Sequence, residues 1–279
     1  MEEEISKKEN NIHIVALIVS FNPDQRLISA VESLDGKLDN IVIIENNSTK
    51  KDVIKQLQNS LKNPNVVILE LDSNRGIAGA LNYGIEYIER NFSADYILTL
   101  DQDTIIMVHD LKNLIFEANK RWNNVGIIAM GSKETHRGHG YRERKYAITS
   151  GNIVSVEIFR KTRFREEFFM DQVDFDFDYN VRRLGYRIIL AEGRLMDHRL
   201  GVKIGKLSYE PPTRIYYMVR NSTVLFVEGK LPLYMYINQI LSWSLSSMLK
   251  VGPFKLFRIL LKALFDALNR NLDQKKLEI

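Results

Sequence analysis

The chain lacks cysteine altogether among its 279 residues. This absence excludes a disulfide framework, thiolate metal sites and cysteine-based catalysis. Proline is scarce, at six residues, and there is no proline-rich linker, low-complexity tract or internal repeat. Because 45% of the residues are hydrophobic and 27% are charged, the chain can bury a full core. We expect one large domain, or one domain with an appendage.

The first ten residues lack the basic and then apolar order of a secretory signal. We therefore expect a flexible N-terminal tail over residues 1–10 and a catalytic face in the cytoplasm. The net charge of +4 is unevenly distributed, since residues 230–279 hold eight Lys or Arg against three Asp or Glu. Because this excess lies in an apolar tail, it favours an anionic membrane surface over nucleic acid as the partner.

Apolar runs of strand length alternate with helical patterns over the first hundred residues. Four runs predict buried strands, at 12–19, 40–44, 66–69 and 96–100. Three intervening segments predict helices, at 24–34, 51–61 and 77–89. This alternation predicts an α/β fold with a mostly parallel central sheet flanked by helices. Ligands of such sheets bind at the carboxyl ends of the strands.

Three polar segments follow the predicted strands and should open on one edge of the sheet. They are Ser20-Phe21-Asn22, Glu45-Asn46-Asn47-Ser48 and Asp101-Gln102-Asp103. Two carboxylates one residue apart at a strand end can hold a hard divalent cation. Such an ion neutralises the diphosphate that leaves when a nucleotide sugar reacts. A solvated turn is the alternative for the acidic pair, and the buried strand before it favours the metal site.

The second half carries an acidic stretch that runs into a predicted helix. Asp174 fits the N-cap position of that helix, and Gly185 fits its end before a strand at 187–191. A carboxylate at a helix start can act as the general base that an inverting transfer requires. An ordinary capping role is the alternative for Asp174. His198 follows the strand in a polar loop, where it is either structural or a metal ligand.

The segment 74–82, Asn-Arg-Gly-Ile-Ala-Gly-Ala-Leu-Asn, resembles a phosphate-binding glycine loop. It lacks the P-loop lysine and the three-glycine dinucleotide fingerprint. A tight turn from strand to helix, with small residues for close packing, is the alternative interpretation.

Together these segments resemble glycosyltransferase family 2, which has the GT-A fold, and in particular its rhamnosyltransferase-like bacterial members. The resemblance covers about residues 12–225, and its motifs follow the order of the family. Besides the segments above, it includes Ser150-Gly151-Asn152, Val173-Asp174-Phe175-Asp176, His198-Arg199-Leu200-Gly201 and Arg214-Ile215-Tyr216-Tyr217-Met218-Val219-Arg220-Asn221. Each motif is weak singly, and their order and spacing make the whole specific.

The resemblance implies a metal-dependent, inverting glycosyltransferase with Mn2+ or Mg2+ as cofactor. It implies that Asp174 is the catalytic base and that the metal ligands are Asp101, Asp103 and His198. The residues implied to contact the nucleotide sugar are Ser20, Asn22, Glu45, Asn74, Arg75, Asp101, Ser150 and Gly151. The chain departs from the family pattern at Glu45, where Asp is usual, and at Asp176, where Glu is frequent.

The C-terminal part is apolar and basic. Residues 231–249 carry no charge but contain six Asn, Gln or Ser, which makes them a poor membrane span. From Phe254 onward, Lys255, Arg258, Lys262, Asp266 and Arg270 recur at helical spacing among apolar residues. This pattern predicts a basic amphipathic helix that lies in a membrane interface, packs on the catalytic domain or forms a homodimer. We expect a catalytic domain over 11–228 and a helical extension over 229–279.

On the resemblance alone, we favour dTDP-rhamnose as the donor, with UDP-hexoses next, and we expect the acceptor to be a saccharide or a lipid-linked saccharide in cell-surface polysaccharide assembly. Two other functions compete with this prediction. A nucleotidyltransferase would show a glycine-rich start and a Pro-Lys signature, and Ser20-Phe21-Asn22 offers neither. A catalytically silent carbohydrate-binding or scaffold subunit would not need the set Asp101, Asp103, Asp174 and His198.

Overall fold

The computed structural model describes residues 12–60, 65–132, 138, 140–198, 203–204, 207–208 and 211–273. The tail predicted at 1–10 lies outside these ranges, as do residues 199–201 of the motif that begins at His198. The strands are β1 Ile14–Ser20, β2 Asn40–Glu45, β3 Val66–Glu70, β4 Tyr96–Asp101, β5 Ile105–Ile106, β6 Val125–Ser132, β7 Gly140–Arg144, β8 Asn152–Ser155, β9 Arg187–Asp197, β10 Lys203–Ile204 and β11 Leu207–Ser208.

Helices alternate with the first strands and then dominate the C-terminal part. They are α1 Arg26–Glu32, α2 Asp52–Ser60, α3 Gly76–Asn91, α4 Leu111–Arg121, α5 Val156–Lys161, α6 Val173–Arg183, α7 Pro212–Val227, α8 Leu233–Val251 and α9 Pro253–Leu268. Every strand and helix predicted over the first hundred residues is present, and their ends differ from the prediction by at most two residues.

The large sheet has the strand order β3-β2-β1-β4-β8-β6-β9-β5, and β7 also pairs with β9. The α/β fold with a central sheet flanked by helices is confirmed. Parallel pairing is confined to β1 with β2 and β4, β2 with β3, and β6 with β9. The strands β8, β5 and β7 pair antiparallel with their neighbours. β8 therefore runs opposite to both of its neighbours, β4 and β6.

All seven residues of β1 are buried, which explains its uninterrupted apolar sequence. The helices α1, α2 and α4 contribute Leu27, Ile54 and Ile115 to the core that covers the strands. The helix α3 approaches β1 closely at Gly84, where a Cβ atom would lie 2.3 Å from a Leu17 methyl carbon. The sheet is therefore held by close packing of small and branched residues.

The chain divides into two compact units. The first comprises the described residues of 12–75, 79–164 and 177–198, and it contains the large sheet. The second comprises 76–78, 165–176 and the described residues after 200, and it contains α7, α8 and α9. The boundary at residue 228 stays a prediction from the sequence.

The second unit has a core of its own between α7, α8 and α9. Its buried residues include Ile215 and Val219 of α7 together with Leu256 and Ile259 of α9. Arg220 of α7 is fully buried, and burial lowers the pKa of its guanidinium. Its nitrogens donate to Leu272 O at 3.2 Å, Glu167 O at 2.6 Å and the Asn221 side chain at 3.0 Å, so its buried donors have partners.

The position of Asp266 in α9 differs from the amphipathic pattern that the sequence predicts. The sequence places it with the exposed basic residues, but its side chain is buried and accepts a hydrogen bond from the Tyr216 hydroxyl. Lys262 Nζ also donates to it at 3.2 Å and Asn271 Nδ2 at 3.1 Å. Burial raises the pKa of Asp266, but these hydrogen bonds outweigh it and lower the pKa below its ordinary value. The prediction fails because helical spacing alone does not tell which side a polar partner occupies.

No helix in the described part of the chain is long and apolar enough to cross a membrane.

Glu228 is the centre of an ion-pair cluster at the end of α7. It accepts from Arg165 Nη1 with both oxygens at 3.0 Å, it is paired with Arg270, and Lys230 Nζ lies 3.2 Å away. Burial raises the pKa of Glu228, but the hydrogen bonds from Arg270 and Arg165 and the charge of Lys230 lower it to about 2. The carboxylate therefore stabilises the folded unit while it is ionised.

We predict that this contribution disappears in acid. Because the folded pKa of Glu228 is depressed to about 2 from 4.5, its stabilisation is full above pH 4.5 and is lost as the pH falls towards 2. At neutral pH, Glu228→Gln should lower the free energy of unfolding by about 1–2 kcal/mol after allowance for solvent screening. Urea unfolding across this pH range measures the difference, which should shrink in acid.

The matched control for this prediction is Glu86→Gln, which removes an exposed pair with Arg90 and should cost less than about 0.5 kcal/mol. A Glu228→Gln effect that stays constant from neutral to acidic pH would contradict the assignment.

Candidate active site

The carboxyl ends of β1, β2 and β4 meet at one edge of the sheet. β1 pairs in parallel with both neighbours, with Ser20 opposite Glu45 and Val19 opposite Asp101. The three polar segments predicted from the sequence therefore open side by side, as expected for a sheet of this kind.

Hydrogen bonds join these three segments into one surface. Phe21 N–H donates to Gln102 Oε1 at 2.8 Å, and Gln102 Nε2 donates back to Phe21 O at 3.3 Å. Asn22 Oδ1 accepts from the backbone N–H groups of Thr49 at 2.9 Å and Lys50 at 3.2 Å. Asn22 has a φ of 47°, a conformation that asparagine adopts more readily than most residues.

Glu45 and Ser20 carry buried polar atoms at the ends of adjacent strands. Glu45 Oε1 accepts from Ser48 N–H at 2.6 Å, and Oε2 lies 3.6 Å from Lys51 Nζ. Neither Ser20 Oγ nor Glu45 Oε2 has a hydrogen-bond partner among the described residues. Buried polar atoms normally have a partner, so these two oxygens are available to a ligand or to water.

Asn46 connects this edge to the segment that precedes α3. Its Nδ2 donates to Asn74 Oδ1 at 3.1 Å, and its Oδ1 accepts from Arg75 N–H at 2.9 Å. The Arg75 guanidinium lies 5.2 Å from the ring centre of Tyr83. α3 begins at Gly76, directly after this pair. The segment 74–82 is therefore a tight turn into a helix, and it brings a guanidinium to the turn between β3 and α3.

The side chains of Asp101, Asp103 and His198 converge. One ligand atom from each lies within 4.8 Å of the others, and all three residues are half-buried. His198 Nε2 is 3.7 Å from Asp101 Oδ2, and Nδ1 is 3.6 Å from Asp103 Oδ1. Two carboxylate oxygens and one imidazole nitrogen at this spacing fit a divalent cation such as Mn2+ or Mg2+.

The pairing of β5 with β9 brings the histidine to the acidic pair. Ile105 lies opposite Asp197 and Ile106 opposite Met196 in this antiparallel ladder. Arg26 of α1 also links the acidic loop to the end of β9. Its Nε donates to Asp103 O at 3.0 Å, and its Nη2 donates to the Asp197 carboxylate at 3.2 Å. The sequence predicted neither the two-residue strand β5 nor the role of Arg26.

Thr104, which is fully buried, orients the His198 ring. Its hydroxyl lies 2.8 Å from His198 Nδ1 and 2.7 Å from Ser150 Oγ, and Ser150 Oγ accepts from Asp101 N–H at 2.9 Å. When Nδ1 donates to Thr104, the lone pair of Nε2 is free to coordinate a metal. Thr104 was not predicted as a site residue, although its position next to Asp103 was a signal.

Burial lowers the pKa of His198, but the hydrogen bond with Asp103 and the charges of Asp101 and Asp103 outweigh this effect and raise the pKa. The acidic pair therefore concentrates positive charge at this point, whether a proton or a cation supplies it. A bound divalent cation would displace the proton from the coordinating nitrogen.

Ser150 and Gly151 lie beside the carboxylates. Gly151 N–H donates to Thr99 O at 2.8 Å, and Met130 N–H donates to Gly151 O at 2.9 Å. Gly151 has a φ of +81°, and a Cβ atom there would lie 2.3 Å from Met196 Sδ. Glycine is required at this position both by its backbone conformation and by the lack of space.

Asp174 belongs to the second unit, and its predicted capping position is wrong. The helix α6 begins at Val173, so Asp174 is its second residue. The helix starts earlier because Gln172 completes a left-handed segment with Asp171, with φ values of 63° and 57°. An acidic residue in the first turn remains favourable because it faces the positive end of the helix dipole.

Asn221 of α7 holds the strained loop that precedes Asp174. Its Nδ2 donates to the carbonyl groups of Phe168 at 2.9 Å, Met170 at 2.8 Å and Asp171 at 3.0 Å. Phe169 in this loop also has a positive φ of 58°, and Gly76 approaches it so closely that a Cβ atom would lie 2.3 Å from Phe169 O. Non-glycine residues with positive φ persist where surrounding contacts over-determine them.

The fold is an α/β sheet with an acidic cluster at the carboxyl ends of its parallel strands, and comparisons with known proteins identify its family. Glycosyl transferase family 2 matches over residues 16–190, more than half of the chain. The chain therefore belongs to glycosyl transferase family 2, and it is a glycosyltransferase.

Two relatives share sequence with the chain. It is 27% identical over 260 residues to the dTDP-rhamnosyl transferase RfbF of Shigella flexneri, covering 82% of this chain and 85% of that protein. It is 24% identical over 158 residues to the minor teichoic acid biosynthesis protein GgaB of Bacillus subtilis, covering 55% of this chain and 17% of that protein.

Many solved structures share the fold, among them the following two. S. aureus TarS superposes with a TM-score of 0.62 at 14% identity, covering 92% of this chain and 49% of that chain. GalNAc-T7 with UDP, GalNAc and Mn2+ superposes with a TM-score of 0.60 at 15% identity, covering 80% of this chain and 50% of that chain. The predicted GT-A fold is thereby confirmed.

We predict that Thr104→Val weakens metal binding. The change keeps the side-chain shape but removes the hydroxyl beside His198 Nδ1, so the ring loses its orienting partner. The affinity for Mn2+, measured by isothermal titration calorimetry on the chain without nucleotide, should fall roughly tenfold.

Thr162→Val, at the end of α5 in the same unit, is the control and should bind Mn2+ like the wild type. Equal affinity of the Thr104 variant and this control would show that the hydroxyl does not orient a metal ligand.

Proposed function

We propose that this chain is an inverting glycosyltransferase that transfers rhamnose from dTDP-rhamnose, with UDP-hexoses as the next donor class. The acceptor is a saccharide or a lipid-linked saccharide in the assembly of a cell-surface polysaccharide. The relative from Shigella flexneri, a dTDP-rhamnosyl transferase, supports the first donor. A solved TarS structure with UDP-GlcNAc, similar at a TM-score of 0.60, has a related fold.

The convergence of Asp101, Asp103 and His198 is the observation that carries this proposal. These three residues would hold Mn2+ or Mg2+. When bound, the cation supplies positive charge that stabilises the departing nucleoside diphosphate. Thr104 and Arg26 keep the histidine and the acidic loop in position. A carbohydrate-binding subunit without catalysis would have no need for such a cluster.

The nucleotide sugar would bind along the edge formed by the three loops. Ser20, Asn22 and Glu45 would contact the base and ribose, and Ser20 Oγ and Glu45 Oε2, which lack a hydrogen-bond partner among the described residues, support this role. Asn74 and Arg75 would lie near the phosphates, where a guanidinium pairs well with oxyanions. Ser150 and Gly151 would border the sugar, and Asp101 would contact the ribose or sugar as well as the metal.

Asp174 is our proposed catalytic base. Its carboxylate would remove the proton from the acceptor hydroxyl while the acceptor oxygen forms a bond to the anomeric carbon. The bond from that carbon to the diphosphate oxygen breaks, so the configuration inverts and the nucleoside diphosphate leaves. The match of Val173-Asp174-Phe175-Asp176 to the family motif supports this role, as does the rigid loop before α6.

We propose that the enzyme works in the cytoplasm, at the inner face of the cell membrane, where lipid-linked acceptors are found. The basic and apolar C-terminal part supports this location. Peripheral contact of α9 with the membrane would bring the enzyme to its acceptor.

A thermal-shift screen tests the donor and the metal together. The chain is heated with dTDP-rhamnose, UDP-hexoses or the matching nucleoside diphosphates, with and without Mn2+ or Mg2+. We expect dTDP-rhamnose to raise the unfolding midpoint by roughly 5 °C at a hundredfold excess over Kd, and only when metal is present.

Asp103→Asn is the control for the screen and should remove the metal-dependent part of the shift. Indifference of the wild type to every nucleotide would favour a silent scaffold subunit and would sink the proposed donor.

We predict that Asp174→Asn abolishes transfer but retains donor binding. The amide keeps the size of the side chain but cannot accept the proton, so the turnover number should fall by about a hundredfold or more. Sugar transfer and metal-dependent thermal shift are measured on the same preparation. Asp178→Asn lies on the same helix and is the control. Turnover near the wild-type value in the Asp174 variant would exclude this residue as the base.

A further inference from the structure

The helix α9 is apolar on two sides, and only one of them is packed. Leu256, Ile259, Ala263 and Ala267 are buried, and the first three belong to the core shared with α7. A second row, which we call the α9 stripe, is more than half exposed at every position. The α9 stripe consists of Phe254, Phe257, Leu261, Phe265 and Leu268.

The α9 stripe follows one face of the helix, because its residues are spaced by three or four. The buried carboxylate of Asp266 keeps this face outward. Its hydrogen bonds with Tyr216 and Asn271 hold the opposite side of α9 in the core, so the helix cannot roll about its axis to hide the phenylalanines. The exposure of the stripe is therefore a consequence of the packing within the second unit.

The charges that accompany the α9 stripe have one sign. Lys255 and Arg258 are exposed on α9 and have no ion pair among the described residues. The only acidic residue of α9 is Asp266, which is buried. An apolar row beside exposed cations is the pattern of helices that lie in the interface of an anionic membrane.

The neighbouring helix α8 adds further exposed apolar side chains, at Leu233, Tyr234, Ile237 and Leu241. It contains no Asp or Glu. Exposed apolar surface of this extent on a monomer indicates a docking site. Since no described helix can cross a bilayer, docking would take place at the surface of a membrane.

We propose that the α9 stripe inserts into the headgroup region of an anionic lipid surface, with Lys255 and Arg258 at the phosphates. A second copy of the chain fits the stripe less well, because a symmetric contact of stripe with stripe would bring the unpaired cations of two copies together. This inference deepens the membrane location proposed above by identifying the side chains that insert, and it does not depend on the donor sugar.

Vesicle sedimentation of the full chain tests the proposal without donor or acceptor. One variant combines Phe257→Gln and Phe265→Gln, and a second combines Lys255→Gln and Arg258→Gln. All four positions are exposed and glutamine favours helix, so the thermal unfolding midpoint should stay close to that of the wild type. The matched controls are Leu184→Gln and the pair Arg144→Gln with Lys145→Gln, all exposed in the first unit.

We expect the wild type to bind vesicles that contain phosphatidylglycerol more tightly than pure phosphatidylcholine, with a difference that high salt reduces. The phenylalanine pair should weaken binding to both vesicles by about tenfold or more. The basic pair should weaken binding roughly tenfold on the anionic vesicles alone. The controls should bind both kinds of vesicle like the wild type.

Two results would overturn the proposal. One is equal vesicle binding by the wild type, the variant with both phenylalanines replaced and the variant with Lys255 and Arg258 replaced. The other is a wild type that does not bind vesicles but forms a dimer in vesicle-free buffer, detected by light scattering. If the variant with both phenylalanines replaced is then a monomer, the partner of the stripe is a second copy of the chain. Failure of the nucleotide screen would leave the vesicle result standing, so the two proposals fail separately.

Discussion

The candidate site depends on the position of β1 between two parallel neighbours. Because Ser20 lies opposite Glu45 and Val19 opposite Asp101, three loops with no sequence proximity emerge together. A shift of one residue in either pairing would turn the side chains of the whole strand to the other face. Close packing on both faces of β1 opposes such a shift, because Leu17 lies against Gly84 of α3 and a shift would bring a side chain of different shape to this contact. The hydrophobic sequence of this strand is thus a condition for the chemistry at its end.

The strands of the first hundred residues and the acidic pair could be predicted from the sequence, because each is marked by a local pattern of residues. The buried strands of the first hundred residues are apolar runs bounded by turns, and the metal pair follows one of them directly. The roles of Thr104 and Arg26 could not be predicted from the sequence, because they arise from contacts with residues far away in the chain. Thr104 contacts His198, and Arg26 contacts Asp197. The strand β5 has only two residues and no pattern of its own. The predicted N-cap of α6 at Asp174 was wrong by two residues, because the left-handed conformation of Gln172 is rare and its residue type does not indicate it.

In the second unit, the most important polar contacts could not be predicted from local sequence patterns. Spacing predicted the helix α9 correctly, but the inward direction of Asp266 depends on Tyr216, fifty residues earlier in the chain. The fully buried Arg220 likewise has partners from three separate segments. Buried charges of this kind are costly unless every hydrogen bond is made, so they restrict the unit to one arrangement. Whether they add net stability is a separate matter from the specificity that they provide.

The burial of Asp266 has a practical consequence for handling the protein. The same helix that presents the phenylalanines also covers Tyr216 and Arg220, so deletion of the chain from Pro253 onward would open the core of the second unit. Truncation is a common way to make a protein with an exposed apolar terminus more soluble. Here it would replace one exposed apolar surface by another. Solubility is better sought by exchanging outward side chains one at a time, which leaves the inner side of the helix intact.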